Sequence, residues 1–500
     1  NATMPLVIQR TGITGAGTAS EVATFTVKQF NYENRTVGDD TTNPMPSFVG
    51  NRINKVLFFR NRLAFLSGEN VILCRPGTLG LPDFFNETSL TVSTADPIDI
   101  SCSSMFPSDL FDGIELNTGL VVFSTNQQFL LSSDDTVLNP DTAKLRSIST
   151  FNYNKVVAPI SLGTTIGYID NSNKFSRFNE MANVAREGEP NVVEVSKIVP
   201  SLLPKDIDLI TNSRENSMVL FGKTGSNTVF GFRYFQVSEK RTQAAWFKWS
   251  FKNNLIYHFI IDDEYFYLDE NYFLHSVKLI QDDINDPSIV ENNTDFQINI
   301  DNHTDVHGGV FDEVTMLTTF SGVTWLSSVT DAFTNLVVVD TNTNATRVGR
   351  YGKPTSTGAT SFTLPGDWSG VTLKIGYIYE YNVKLPRIYP TTQQGESTRS
   401  DLNSSLVVHR VKFHFGKIGL YETTLERVGK NDYTEVYESS ILDEYDVSDA
   451  PYLDEYVKTV PVYEKNMNVD IILKSSHPAP ATLRAMSWEG DYSPKYYKRV

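Results

Sequence analysis

The sequence predicts an all-β protein, a β-propeller with additional β-rich modules, and three observations carry that reading. Aromatic residues make up 12% of the 500 residues, with 31 Phe and 23 Tyr set among Val, Ile and Thr. That is the composition of pleated, half-buried surfaces. Long helical periodicity is hard to find; only Phe178–Glu194 and Ser201–Ile210 could hold short helices. A recurring unit is visible instead: an apolar strand, a turn rich in Gly, Asn, Asp or Ser, then a second alternating strand. Its turns centre near residues 69, 126, 172, 225 and 269, spaced 57, 46, 53 and 44 apart. One central hairpin per unit at that spacing suits four-stranded propeller blades. An array of β-sandwiches is the competing reading.

In chain order, residues 1–45 read as the end of a preceding β module, and 46–281 as the blades. Residues 282–395 are richer in Asn, Asp and Thr and read as an inserted or distal module with exposed polar tips. Thr391–Asp401 reads as a polar linker. Strong alternation restarts after it, so 396–500 reads as a C-terminal β module. There, Val407, His409, Val411, Phe413 and Phe415 are expected on one strand face, with Val408, Arg410, Lys412 and His414 on a mostly solvated other.

Charge and cysteine content exclude several classes. With 43 basic and 59 acidic residues the formal charge is −16. A protein that grips nucleic acid needs an excess of cations to neutralise phosphates; one that lets it slide past does not. Cys74 and Cys102 cannot make a disulfide framework or a four-thiolate zinc site, and two free buried thiols are favoured over a single bridge. No apolar run is long enough to span a membrane as a helix, and no charged-then-apolar leader is present. The chain opens Asn1-Ala2-Thr3 with no methionine, so the later part of a longer polypeptide is expected.

Each chemistry-bearing cluster also has a plainer reading. The acids in Asp262–Glu270 and Leu442–Tyr456 could pair for glycoside hydrolysis. Adjacent acids on a strand point to opposite faces, which favours solvated turns. His303 and His307 stand four apart, but in a loop-like segment with no glutamate between them, and no metal site is expected. Phe221–Gly225 lacks the first glycine of a phosphate-binding loop, with Ser217 at that position, and reads as a hairpin turn. Trp246 and Trp249, three apart on a strand, point to opposite faces and fit packing between blades better than a sugar platform.

One ordered set of motifs is specific. "PSFVGNRINKVLFFRNRLAFLSGENVILCRPG" (46–77) is preceded by "NRTVGDDTTNPM" and followed by "LPDFFNETSLTVSTADPIDISCSS". "VVFSTNQQFLL", "TQAAWFKWSF" and the terminal "PAPATLRAMSWEGDYSPKYYKRV" follow in order. Together they resemble the tail tubular protein B family of short-tailed bacteriophages, the nozzle of the podovirus tail. The resemblance covers about residues 30–260 and 400–500, and the match at Val500 suggests that the natural C-terminus is present.

The resemblance implies a structural virion protein of the phage tail, assembled in the host cytoplasm. It implies a homo-hexameric ring with a propeller in each subunit, set below the tail adaptor (tail tubular protein A). It implies docking surfaces for tail fibres and a channel that stays closed until phage DNA passes without sequence specificity. No enzyme activity, cofactor or metal is implied. Under that reading, Asp262, Asp263, Glu264, Asp443, Glu444 and Asp446 are candidates for acids at the lumen or its rim. Their net negative potential would repel phosphate and keep sliding friction low. Asn342, Asn344 and Arg347 are candidates for a gate loop, since loops move more easily than packed blades. The alternatives are a virion-associated polysaccharide hydrolase of β architecture and a carbohydrate-binding tail-tip protein.

Overall fold

A computed structural model describes the chain apart from residues 1–3, 19–20, 79, 103, 105–106, 134–136, 185–188, 238–239, 280–297, 330–332, 341–349, 395–396, 403, 439–452, 454 and 495–500. The described residues are strands and connections, with three short 3-10 segments at Val195–Ile198, Thr324–Ser328 and Phe333–Asn335. The chain divides into two compact units, Asn1–Ile280 and Gln281–Val500.

The first unit opens with a hairpin, Leu6–Thr14 against Val22–Gln29. Five antiparallel meanders follow, each hydrogen-bonded in sequence order, as propeller blades are. Blade 1 is Ile53–Phe59, Arg62–Ser67, Asn70–Leu73 and Ile98–Ser101. Blade 2 is Leu110–Leu116, Gly119–Ser124, Gln128–Ser133 and Ala143–Ser149. Blade 3 is Ile160–Ser161, Ile166–Asn171, Ser176–Ala182 and Asn191–Glu194. Blade 4 is Leu209–Ser213, Met218–Gly222, Thr228–Val237 and Lys240–Ser250. Blade 5 has three described strands, Leu255–Ile261, Glu264–Asp269 and Leu274–Lys278. Each predicted turn centre falls at the connection between the second and third strand of its meander, or within one residue of it.

The inner strands are near-continuous apolar runs because neighbouring blades cover both of their faces. In blade 2, Leu120, Val122, Phe129 and Leu131 pack towards blade 1, while Val121, Phe123 and Leu130 pack towards blade 3. Further seams join blades 3 and 4 around Phe178, Phe221 and Phe232, and blades 4 and 5 around Leu220, Val229 and Tyr265. Trp246 lies in the first of these and Trp249 in the second, so the odd spacing does separate the rings. On the outer face of blade 1, aromatic residues from segments before and after its first three strands form a cluster, while Val56 and Phe58 of its first strand stay exposed. Phe48 and Phe84 sit 5.2 Å from the Phe65 ring, and Tyr32 joins them.

The second unit is built as two β-sandwiches. In the first, strands Asp301–Val306, Leu373–Tyr377, Leu336–Asp340 and Tyr351–Gly352 form one sheet. Val310–Asp312, Leu317–Phe320, Ser361–Pro365 and Thr355–Gly358 form the other, with Phe320, Val338, Phe362, Trp368 and Ile375 between them. In the second, Tyr381–Lys384, Val469–Ser475, Leu420–Arg427 and Tyr433–Glu438 face Tyr456–Lys465, Ser405–Ile418 and Ala481–Ser493 across a core of Leu406, Phe413, Tyr421 and Leu473. The recurring units are thus single-sheet meanders of the propeller type, and sandwiches appear in the second unit instead.

Five local expectations need correction. The segment read as a short helix from Phe178 is strand at Ser176–Ala182 and Asn191–Glu194, followed by the 3-10 turn Val195–Ile198, and residues 201–208 hold no helix. Cross-strand pairing of β-branched and aromatic residues outweighs local helix propensity there. His303 lies inside the strand Asp301–Val306, not in a loop. The polar linker pairs Thr391–Gln394 with Ser397–Ser400. In Ser405–Ile418 a bulge between Val408 and Arg410 shifts the phase of the strand. Leu406 and Val408 are buried before it, and Val411, Phe413 and Phe415 after it, so Val407 and His409 leave the expected face. The acids of Asp262–Glu270 are not all turn residues, because Glu264–Asp269 is a strand and Asp269 is buried.

Candidate functional site

The acidic hairpin of blade 5 is the one sequence-predicted site whose residues are all described. Ile261 and Glu264 close the connection between the first two strands. Asp262 takes the left-handed turn conformation with φ 51°, which Asp tolerates better than most residues. Asp262 and Asp263 are exposed, and Glu264 is half-buried opposite Lys278 in the strand register. Asp263 accepts a hydrogen bond from Asn216 Nδ2 at 2.8 Å, which ties the tip of blade 5 to blade 4.

At the other end of the same strand, Asp269 accepts from Asn253 Nδ2 at 2.7 Å, from the Asn271 and Phe273 amides, and from His275 Nε2 at 3.1 Å. Burial opposes its ionisation, but these donors outweigh burial and hold its pKa at about 2. Asp269 is therefore a fixed anion that organises a turn. The geometry offers two exposed acids at the tip of blade 5, beside a Glu264 that faces Lys278 across the strand register.

Asp443, Glu444, Asp446, Asn342, Asn344 and Arg347 lie outside the described residues. Among the described residues no group of three or more His, Cys, Asp or Glu side chains could hold a metal ion. Phe221 and Gly222 end the strand Met218–Gly222, and the hairpin turn follows with Gly225 at φ 80°. Both cysteines are free and buried. Burial raises both thiol pKa values, that of Cys102 to about 11.

Two larger concavities remain. A groove of about 610 Å³ runs beside the aromatic cluster of blade 1, lined by Tyr32, Phe48, Phe84 and Phe85. In the second unit, a cleft of about 420 Å³ is lined by Tyr379, Tyr381, Lys417 and His477. His477 accepts from the Ala479 amide at 3.0 Å and meets the Tyr351 ring edge-on at 4.1 Å. Burial lowers its pKa to about 3. The ring is a neutral packing element between the two sandwiches rather than a proton carrier.

The braces that hold the blades were not singled out from sequence. Arg62 is buried, and its guanidinium donates to the main-chain oxygens of Cys74, Asp96, Thr94 and Leu138. A lone cation inside an apolar strand was the available signal. Gln128, in the Gln-Phe pair of the second motif, is fully buried and donates to the Phe151 oxygen at 2.8 Å. Arg241 in blade 4 grips Glu180 in blade 3 through two bonds of 2.9 and 3.2 Å. Lys55 in blade 1 meets Asp112 in blade 2 at 2.6 Å. The polar residues that the structure does bring together are thus mostly structural ties between blades.

Comparison with known proteins agrees with that picture. A family model described as bacteriophage nozzle protein matches residues 1–499. Tail tubular protein gp12 of Escherichia phage T7 is 29% identical over 233 residues, covering 46% of this chain. That alignment spans only 29% of the length of the relative. Among solved structures, Hsv2 of Kluyveromyces lactis is 9% identical with a TM-score of 0.30, over 53% of this chain and 79% of that one. BamB from Moraxella catarrhalis is 12% identical with a TM-score of 0.25, over 44% and 56%. These structural likenesses are too weak to carry an argument; the family match, which spans nearly every residue, is not. The chain belongs to the bacteriophage nozzle protein family, whose members are structural components of the phage tail and not enzymes.

Proposed function

We propose that this chain is a wall segment of a tail nozzle, used in six copies around an axial passage through which phage DNA leaves the particle. What supports the reading is the match of the nozzle family to residues 1–499. The physics of the fold is compatible with it. Each blade packs on its neighbours through apolar seams and cross-blade ion pairs, which makes a stiff element. A stiff element suits a conduit under pressure. The formal charge of −16, repeated in every copy, disfavours adhesion of phosphate and so favours sliding.

In this reading the acids at Asp262, Asp263 and Glu264, with Asp443, Glu444 and Asp446, contribute to the lumen or its rim. Residues 1–45 finish a module that precedes the blades of 46–281. Residues 282–395 form the distal part, with the gate loop at Asn342, Asn344 and Arg347 and a docking surface for tail fibres. Residues 396–500 close the propeller or platform, and the adaptor ring sits above. The subunits assemble in the host cytoplasm before joining the virion.

Cryo-microscopy of the parent particle tests the reading. Six copies encircling the axis, with the acids towards the channel, is the expected result. A polypeptide lying off the axis would overturn the conduit, and a basic channel would overturn the role of the acids. Deleting a loop within residues 341–355 tests the gate: a tail still closed to DNA before infection removes those tips from the role.

A further inference from the structure

The blades sort their connections by charge. Successive connections of an antiparallel meander alternate between its two ends. One end of the blades carries the turns between first and second strands and between third and fourth; the other carries the turns between second and third strands and the links from blade to blade. Every lysine in these connections, namely Lys155, Lys174, Lys197, Lys205, Lys223 and Lys252, falls in the second set. The first set holds no lysine, although Lys144, Lys240 and Lys278 lie in strands beside it. Its exposed acids include Asp141, Glu189, Glu215, Asp262 and Asp263, with Arg60, Arg75 and Arg214 as its cations. The two sets are similar in total length, so loop size does not account for the split.

The lysines share one continuous stretch, from the entry to blade 3 to the entry to blade 5, because their connections are bonded to one another. Asn154, beside Lys155, donates to the main-chain oxygens of Ile169 and Ile207. Ser196, beside Lys197, accepts from the Phe178 amide. Phe175, beside Lys174, pairs with Pro204, beside Lys205. Lys223 Nζ donates to the Lys205 oxygen at 3.1 Å. The Phe251 amide donates to the Asn227 oxygen, which brings Lys252 to the turn of Lys223. Lys155, Lys174, Lys197 and Lys205 are exposed, and among the described residues neither they nor Lys223 meets a carboxylate. Glu194, Asp206, Asp208 and Glu270 stand in the same stretch. Three of these acids already accept hydrogen bonds, Asp206 from Asn171, Asp208 from the Thr224 amide and Glu270 from Asn254.

We propose that this lysine-bearing end of the blades docks on a carboxylate-rich surface of another protein of the tail. Membership of a tail family implies assembly with other tail components. The inference goes beyond the conduit reading and uses it once, in taking the end with Asp262 and Asp263 as the one that looks towards the passage. Three observations favour protein over DNA. Acids stand between the lysines, and a duplex, with a phosphate charge roughly every 1.7 Å of its axis, would meet them too, whereas a folded surface can set single carboxylates against single lysines. No arginine stands in these connections, so the fork that binds phosphate through two bonds is missing. In the conduit reading, the end turned to DNA is the acidic one. Exposed ammonium groups steer such a partner and hold it less well as salt rises.

Assembled phage particles test it. Full-length protein carrying Lys174→Gln, Lys197→Gln and Lys205→Gln is expected to melt like the parent, because these side chains are exposed. In competition with the parent it should enter particles at least about tenfold less well. The matching Lys→Arg triple variant keeps the charges and should enter normally. Equal entry of the Gln variant, or failure of the Arg variant, would overturn the proposal. Carbodiimide cross-linking of unaltered particles needs no variant. Amide links from these lysines to Asp or Glu of a different tail polypeptide are expected. Links only to another copy of this chain would overturn the proposal in favour of self-contact, and formaldehyde links to DNA in favour of a phosphate contact. Free acylation of all these lysines in the particle would overturn it outright. None of these results moves the chain off the axis, so the conduit fails or stands separately.

Discussion

Arg62 Nη1 donates to the main-chain oxygen of Asp96 at 2.7 Å, in an interior that water does not reach. The same guanidinium also holds Cys74, Thr94 and Leu138, so one side chain ties blade 1 to the loop that returns across it and to the end of blade 2. Burial lowers the Arg62 pKa, but a guanidinium stays protonated at any ordinary pH. Replacement by Met would leave four carbonyl oxygens unpaired. Arg62→Met should cost about 3–5 kcal/mol. Arg62→Lys should recover only part of that, because an ammonium lacks the planar fork. Denaturant midpoints followed by tryptophan fluorescence check both.

Acid should weaken the first unit through His258. Its ring is buried, its Nδ1 lies 3.1 Å from Tyr265 Oη, and burial lowers its pKa from 6.5 to about 4. The unfolded chain therefore binds a proton that the folded chain refuses. Stability is full above pH 6.5 and falls as the pH drops towards 4. The loss from this one residue should reach about 2 kcal/mol by pH 5. Thermal melts at pH 7.5 and 5.0 check it, and His258→Gln should flatten the difference.

Removing either tryptophan should loosen a different seam. Trp246 lies 4.7 Å from Phe232 and 5.7 Å from Phe221, and Trp249 lies 5.8 Å from Tyr265. Trp246→Ala should cost about 3 kcal/mol and raise amide exchange in blades 3 and 4. Trp249→Ala should raise it in blades 4 and 5. Exchange mass spectrometry separates the two patterns.

Both thiols should be inert in the folded protein. Cys74 and Cys102 are buried with raised pKa values, so almost no thiolate meets solvent near neutrality. An aromatic disulfide reagent should label neither on the timescale that labels both after unfolding. Rapid labelling of the native protein would contradict the burial described for them.

The blades were legible because packing on both faces writes itself into the chain as repeated apolar runs around turn residues. The strands Gly119–Ser124 and Met218–Gly222, buried throughout, are the plainest cases. Three features were not legible, for separate reasons. The face of Ser405–Ile418 was misassigned because one inserted residue at the bulge changes which side each later side chain takes, and alternation alone does not mark it. Asp269 was read with the solvated acids because three of its four donors come from the turn and strand that follow it, which look like any polar turn, and the fourth, Asn253, is brought in by the fold from the connection before the blade. Arg62 was passed over because its partners are backbone oxygens, which no side-chain motif encodes.

The bulge in Ser405–Ile418 has a mechanical meaning. It interrupts the register against both neighbours at the same place, Tyr456–Lys465 on one side and Ala481–Ser493 on the other. A regular strand under tension can creep past its neighbours two residues at a time and re-form its bonds at each stop. In this strand a shift of register would have to carry the bulge along against both neighbours, and the ladder to Ala481–Ser493 is interrupted twice more near Phe415. Sliding along it would have to move that kink against two neighbours at once, so load along the strand is shared between both ladders.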